Sequence, residues 1–206
     1  MRYHHFAHMQ EIAGSLTVGQ KVTKGQSLGK VGKTGTTYAH LHYEVRNQKP
    51  PTWTSYIYGL SMSQVMELYA DPETWIDRKE NIPAKYTTYG GYEYLSSILD
   101  KNGFVTGYHS GIDLNEGSGN DDLGNPITSP INGVVVYRAN NQGGWGTHLW
   151  IEEVEEDTEL EEAMDWMLQH EIYTVDLPAN LPVNRGELAL VCQRLAERII
   201  SWTSND

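Results

Sequence analysis

Residues 3–46 alternate in polarity and are punctuated by Gly14, Gly19, Gly25, Gly29, Gly32 and Gly35. That pattern predicts short antiparallel strands joined by tight turns. Val18-Gly19-Gln20-Lys21-Val22-Thr23-Lys24-Gly25-Gln26 reads as a repeated turn-and-strand unit, which Leu28 to Val31 continue. A second block of the same character covers 103–154. Its core strand is Gly133-Val134-Val135-Val136-Tyr137, and the loop Gly143-Gly144-Trp145-Gly146 leads into Leu149-Trp150-Ile151.

Between the blocks, residues 47–102 read as a connector with one short helix. Pro50-Pro51 marks a break, and Met62, Val65, Met66 and Leu68-Tyr69 have helical spacing, with Ser61 as cap and Asp71-Pro72 as stop. Residues 77–90 are polar, with Pro83 and Gly90-Gly91. Residues 155–206 change character: Leu160, Ala163, Met164, Met167 and Leu168 space as one amphipathic helix and Leu188 to Ile200 as another. A small helical appendage is expected there. Trp53, Tyr56, Tyr58, Tyr69 and Trp75 read as core and loop anchors, and His148 and His170 as structural or exposed.

Composition closes off several function classes. The net charge of −12 argues against a nucleic-acid partner, since phosphate binding needs clustered Lys and Arg. No apolar run approaches the ~20 residues that span a bilayer. The start, MRYHHFAHMQ, has neither the apolar core nor the cleavage site of a secretory signal, so synthesis in the cytoplasm is expected. The single cysteine, Cys192, excludes an intrachain disulfide and a cysteine-based zinc cluster, and core filler is its expected role.

Two fragments carry the chemistry. His40 and His42 are two apart, so on a strand both project from one face. His109 and Asp113 are also an even number apart, and Gly111 between them disfavours a helix. Two imidazoles and one carboxylate leave a fourth zinc position open, the arrangement of catalytic rather than structural zinc. Zinc there would acidify a water toward a pKa of ~7 and polarise a carbonyl oxygen. Taken alone, a His-x-His on a strand is more often a surface pair, and His4, His5 and His8 read equally well as ordinary strand residues.

The surroundings of these fragments are more specific. Thr34-Gly35 followed by Ala39-His40-Leu41-His42-Tyr43-Glu44-Val45-Arg46 resembles the closing signature of the lysostaphin/LytM-type zinc endopeptidases. Phe6-Ala7-His8-Met9 is similar to that family's Tyr-Ala-His-Leu strand, and Gly19 to Val22 and Lys24 to Gly29 to the strand-turn pair between the two. Tyr108-His109-Ser110-Gly111-Ile112-Asp113-Leu114 resembles the opening signature. It is followed by Gly124 to Pro130, Ile131 to Val135, Gly144-Trp145-Gly146 and Leu149-Trp150-Ile151, as in the family. The resemblance implies a mainly β fold, the antiparallel sheet or sandwich of a duplicated hybrid motif. It implies His109, Asp113 and His42 as zinc ligands and His40 and His8 as the catalytic pair. The implied activity is zinc-dependent hydrolysis of peptidoglycan stem or cross-bridge peptides at the bacterial cell wall, as in a phage lysin.

The order of the halves departs from the family. Residues 1–46 match its C-terminal half and 103–154 its N-terminal half, so the expected domain is permuted; joining Glu153 to Arg2 would restore it. Two readings stay open: a permuted domain closing on itself, or two truncated tandem domains whose halves pair within one chain or by swapping in a homodimer. A wall-binding or hydrolase-activating module without turnover, or a domain-swapped or inactive fragment of a tandem peptidase, is the alternative function. Trp166 to Ile172 with Pro182 to Ala189 resembles one surface-layer-homology repeat, and a helical pair packing on the catalytic domain is the competing reading.

Overall fold

Alternation along the strands resolves into two unlike sheet faces. The computed structural model describes residues 1–54, 59–76, 93–115, 117 and 119–154, which belong to one compact unit, Met1–Glu155. The connector stretch 77–90, Tyr56, Tyr58, and the tail 155–206 with Cys192, His170 and the repeat-like segment lie outside the described residues. In chain order the first block forms β1 (Tyr3–Met9), β2 (Glu11–Ile12), β3 (Lys21–Val22), β4 (Ser27–Lys30) and β5 (Leu41–Arg46). Then come helix α1 (Met62–Leu68), β6 (Tyr69–Ala70), β7 (Ser97–Leu99), β8 (Val105–Tyr108), β9 (Ile112–Leu114), β10 (Pro126–Thr128), β11 (Gly133–Ala139) and β12 (Thr147–Glu153).

Seven strands make one sheet in the order β3-β11-β12-β1-β5-β6, with β9 pairing β5; β10-β4-β2 make a second sheet. Phe6, Leu41, Tyr43, Val45, Ile112, Leu114, Val135, Leu149 and Ile151 from the larger sheet form a core with Ile12, Leu28 and Ile127 of the smaller. Each such buried side chain contributes roughly 1.5–3 kcal/mol, so this apolar face supplies most of the cohesion. The result is the mainly antiparallel β architecture expected from the sequence.

The two blocks interleave within one chain. The antiparallel pairs β1–β12, β3–β11, β4–β10 and β5–β9 each join a strand of the first block to one of the second. At the end of the β1–β12 pair, Tyr3 lies opposite Glu152 and the Glu153 amide donates to the Arg2 carbonyl at 2.9 Å. Arg2 and Glu153 are thus spatial neighbours that the chain does not join directly.

Helix α1 starts where its sequence predicts but ends at Leu68, before the expected stop at Asp71-Pro72, because Tyr69 and Ala70 turn extended and pair with β5. Ser61 and Gln64 form a reciprocal capping box, and the chain leaves the helix into β6 before Asp71 caps a short 3-10 turn, Pro72–Thr74. The connector contributes more than a helix, however. β6 pairs with β5 on the sheet edge, and β7 pairs with β8 across the expected 102/103 boundary. Trp53 packs on Trp150, Tyr137 and Tyr3, while Trp75 donates to Glu153, so both anchor loops to the sheet. No described helix is long and apolar enough to cross a membrane.

Candidate metal centre

The face opposite the core is polar yet buried. His5, His42, Glu44 and His148 are each at most 3% exposed there. Burying such groups is unfavourable unless they are paired, so the sequence must supply their partners. In the β5–β9 pair His42 lies directly opposite Asp113. Gly111 lets the preceding segment approach β5, because a Cβ at that position would sit 2.4 Å from the Tyr43 carbonyl oxygen. His109 thereby reaches the same point as Asp113.

Three atoms converge. His42 Nδ1 is 2.9 Å from Asp113 Oδ1 and 3.2 Å from His109 Nε2, and His109 Nε2 is 3.4 Å from Asp113 Oδ1. A tetrahedral metal with bonds of about 2.0–2.1 Å has ligand–ligand edges of about 3.3 Å, so this triangle fits one face of such a site. The donor set fits as well. The other nitrogen of His42, Nε2, is 3.3 Å from Glu44 Oε2. With its hydrogen on Nε2, a neutral His42 turns the Nδ1 lone pair toward the lone pairs of Asp113. Only a cation between them, a proton or a metal ion, makes that approach favourable. His42, His109 and Asp113, all buried, are accordingly the group that could hold a metal among the described residues.

His40 and His8 flank this triangle. His40 Nδ1 is 3.0 Å from the Tyr38 carbonyl and His8 Nδ1 is 2.9 Å from the Thr34 carbonyl. Each ring therefore donates from Nδ1 to a backbone oxygen and keeps Nε2 as an acceptor. His40 Nε2 lies 3.8 Å from Asp113 Oδ1, and the two rings are 4.7 Å apart between centroids. Strict alternation along β1 would send His8 to the core face, away from His5. Instead His8 has φ 59°, where the β1–β12 register shifts, and its ring turns back to within 6.1 Å of His42. A left-handed backbone at a non-glycine residue is strained and is stabilised here by the surrounding contacts. All five site residues expected from the sequence are thus brought together.

Three neighbours were not anticipated. Glu44 lies beneath His42, Ser110 donates to Glu44 Oε2 at 2.8 Å, and His5 Nδ1 is 3.3 Å from Glu44 Oε1. His5 in turn stacks flat on Trp150 at 4.1 Å. His148, expected to be structural or exposed, is buried with its ring 5.3 Å from that of His5. The available signal was the continued alternation His40, His42, Glu44. Trp145 packs against His42 at 4.9 Å and closes the site from the β11–β12 loop.

The electrostatics follow from burial and pairing. Burial pushes His5 and His8 down to about 3 and lowers His40 as well. Burial also opposes charge on His42, but its hydrogen bonds to the carboxylates of Asp113 and Glu44 outweigh it and raise His42 to about 9. Burial opposes charge on Asp113 and Glu44 too, and their histidine partners nevertheless hold both below the usual carboxylate range. The depressed His5 and His8 have a sign for stability. Both are neutral in the fold at pH values where the unfolded chain, with a histidine pKa near 6.5, takes up protons. The contribution of these two rings to the stability of the metal-free protein is therefore full above about pH 6.5 and falls as pH drops toward about 3, by up to about 1.4 kcal/mol per pH unit for each ring. That of His42 is full below about pH 6.5 and is lost as pH rises through about 9. Urea unfolding of chelator-treated protein between pH 7 and pH 4 measures this; a flat profile contradicts it.

Residues 2–53, about a quarter of the 206, match the model of Peptidase family M23. The matched segment contains His8, His40 and His42, whereas His109 and Asp113 lie outside it. No curated protein and no solved structure gives a significant match.

Proposed function

We propose that this chain, whose residues 2–53 match the model of Peptidase family M23, is a zinc metalloendopeptidase of the LytM/lysostaphin type that cuts stem or cross-bridge peptides of peptidoglycan. The observation that carries this reading is the convergence of His42 Nδ1, His109 Nε2 and Asp113 Oδ1 from segments about seventy residues apart. Two imidazoles and one carboxylate with a fourth position open are the ligand pattern of catalytic zinc. The interleaved strand pairs support a permuted domain whose two halves complete one sheet. The site of action is the bacterial cell wall, and the peptide is the partner.

Zinc at this position would polarise the scissile carbonyl and acidify the attacking water. His40 is the nearer base: its Nδ1 hydrogen is held by the Tyr38 carbonyl and its Nε2 lone pair is available to take the proton of that water. Once protonated, His40 becomes a donor that passes the proton to the departing amine. His8, held by the Thr34 carbonyl, stands beside His40 and shares this proton; when charged it stabilises the oxyanion.

The test is zinc content per chain in the monomer peak from gel filtration, with mass spectrometry of digested peptidoglycan. About one zinc in the wild type, none in His109→Ala, and newly freed peptide amines are expected. Zinc found only in a dimer peak would point to swapped halves. A zinc-free monomer that binds wall material without cutting it would replace the peptidase by a binding or hydrolase-activating module.

A further inference from the structure

We infer that Glu44 is a positioning residue of the metal site, which through His42 selects the nitrogen offered to the metal and sets a second negative charge beneath a bound dication. This rests on the metal-site reading above. Glu44 is 1% exposed and sits in β5 two residues after His42, so both side chains leave the same sheet face. Its carboxylate meets three partners: His42 Nε2 at 3.3 Å, Ser110 Oγ at 2.8 Å and His5 Nδ1 at 3.3 Å. An ionised carboxylate only accepts hydrogen bonds, so all three partners donate. His42 then carries hydrogen on Nε2, and its Nδ1 lone pair is aimed at the point where Asp113 and His109 converge.

The carboxylate is itself held in place. The His5 ring lies parallel to Trp150, with 4° between the planes and 4.1 Å between centroids, and meets Trp145 edge-on at 4.8 Å. Ser110 follows His109 directly, so its bond to Glu44 also ties the β9 approach to β5. Metal-ligating histidines commonly donate their second nitrogen to a carboxylate, which fixes tautomer and ring orientation. The charge count adds a second reason. With neutral imidazole ligands, Asp113 alone would leave a buried dication with one uncompensated positive charge; Glu44 brings the buried cluster to neutrality.

The experiment compares zinc affinity of the wild type, Glu44→Gln and Glu44→Leu by competition with a chromophoric chelator. The protonated nitrogen of His42 is read from 15N resonances of the zinc-loaded wild type. Glu44→Gln keeps an acceptor for His42 but removes the charge, and weakens zinc binding about 10-fold; Glu44→Leu removes both, for about 100-fold. Hydrogen on Nε2 and metal on Nδ1 of His42 are expected in the wild type. If Glu44→Leu does not fold, Glu44→Gln and the wild-type tautomer decide. Affinity of Glu44→Gln within twofold of wild type, or His42 metallated through Nε2, overturns the role of Glu44 and leaves the peptidase reading standing. A wild type that binds no zinc overturns both, and the wild-type titration alone reveals it.

Discussion

His42→Ala loses metal, peptide hydrolysis and several kcal/mol of stability together. His42 is 3% exposed and lies between two carboxylates, 2.9 Å from Asp113 and 3.3 Å from Glu44. Removing it deletes one metal donor and leaves both carboxylates buried without their shared partner. Breaking a buried pair in this way costs about 3–5 kcal/mol, far above the effect of an ordinary surface substitution. Zinc content, wall hydrolysis and urea unfolding of the chelator-treated proteins measure the three losses. His40→Ala separates the roles: His40 lies beside the donor triangle, so metal is retained while hydrolysis falls ~10²–10⁴-fold. Hydrolysis that survives His42→Ala or chelation would end the metallopeptidase mechanism.

Gly146→Ala produces a large expected effect away from the metal donors. Gly146 has φ 63° and ψ −132°, a conformation that L side chains rarely adopt. A Cβ there would lie 2.2 Å from the Thr34 carbonyl oxygen, the same atom that accepts from His8 Nδ1. Thr34 Oγ also accepts from the Thr147 amide at 2.7 Å and donates to the Met9 carbonyl at 2.8 Å, which fastens the two halves at this point. Strain and clash together cost about 3 kcal/mol or more, and the displaced Thr34 no longer holds His8. Gly144→Ala is the control, because a Cβ there meets nothing within 4 Å; its change stays within about 0.5 kcal/mol. Equal unfolding midpoints for the two variants would show that the contact between the loops carries no weight.

Stability and chemistry are assigned to opposite faces of one sheet. Phe6, Tyr43 and Ile151 face the core, while their chain neighbours His5, His42 and Trp150 face the site. A one-residue slip of β5 against β1 or β9 would exchange the two sets. The apolar side thus fixes the register that brings His42 opposite Asp113.

What the sequence determined by itself is whatever depends on local period. His40 and His42 share a face because strands repeat every two residues, and Ser61 with Gln64 caps a helix because both partners lie within one turn. The His109–Asp113 spacing suggests a pair, but His109 lies between β8 and β9 and reaches the site through the close approach at Gly111 rather than through strand period. The tertiary structure decided what depends on long-range pairing. That β5 meets β9 and β1 meets β12 follows from hydrogen-bond registers between distant segments, and the order of the halves along the chain does not specify it. His8 reaches the site through a left-handed backbone and a register shift, against its strand's alternation. His5 reads as an ordinary strand position and Glu44 stands in its motif without a role, because a carboxylate or imidazole on a strand looks solvent-facing in sequence. Trp145, Trp150 and Trp53 cover their face from elsewhere in the chain, and burial is what makes this pair of polar residues a candidate support of the proposed metal site.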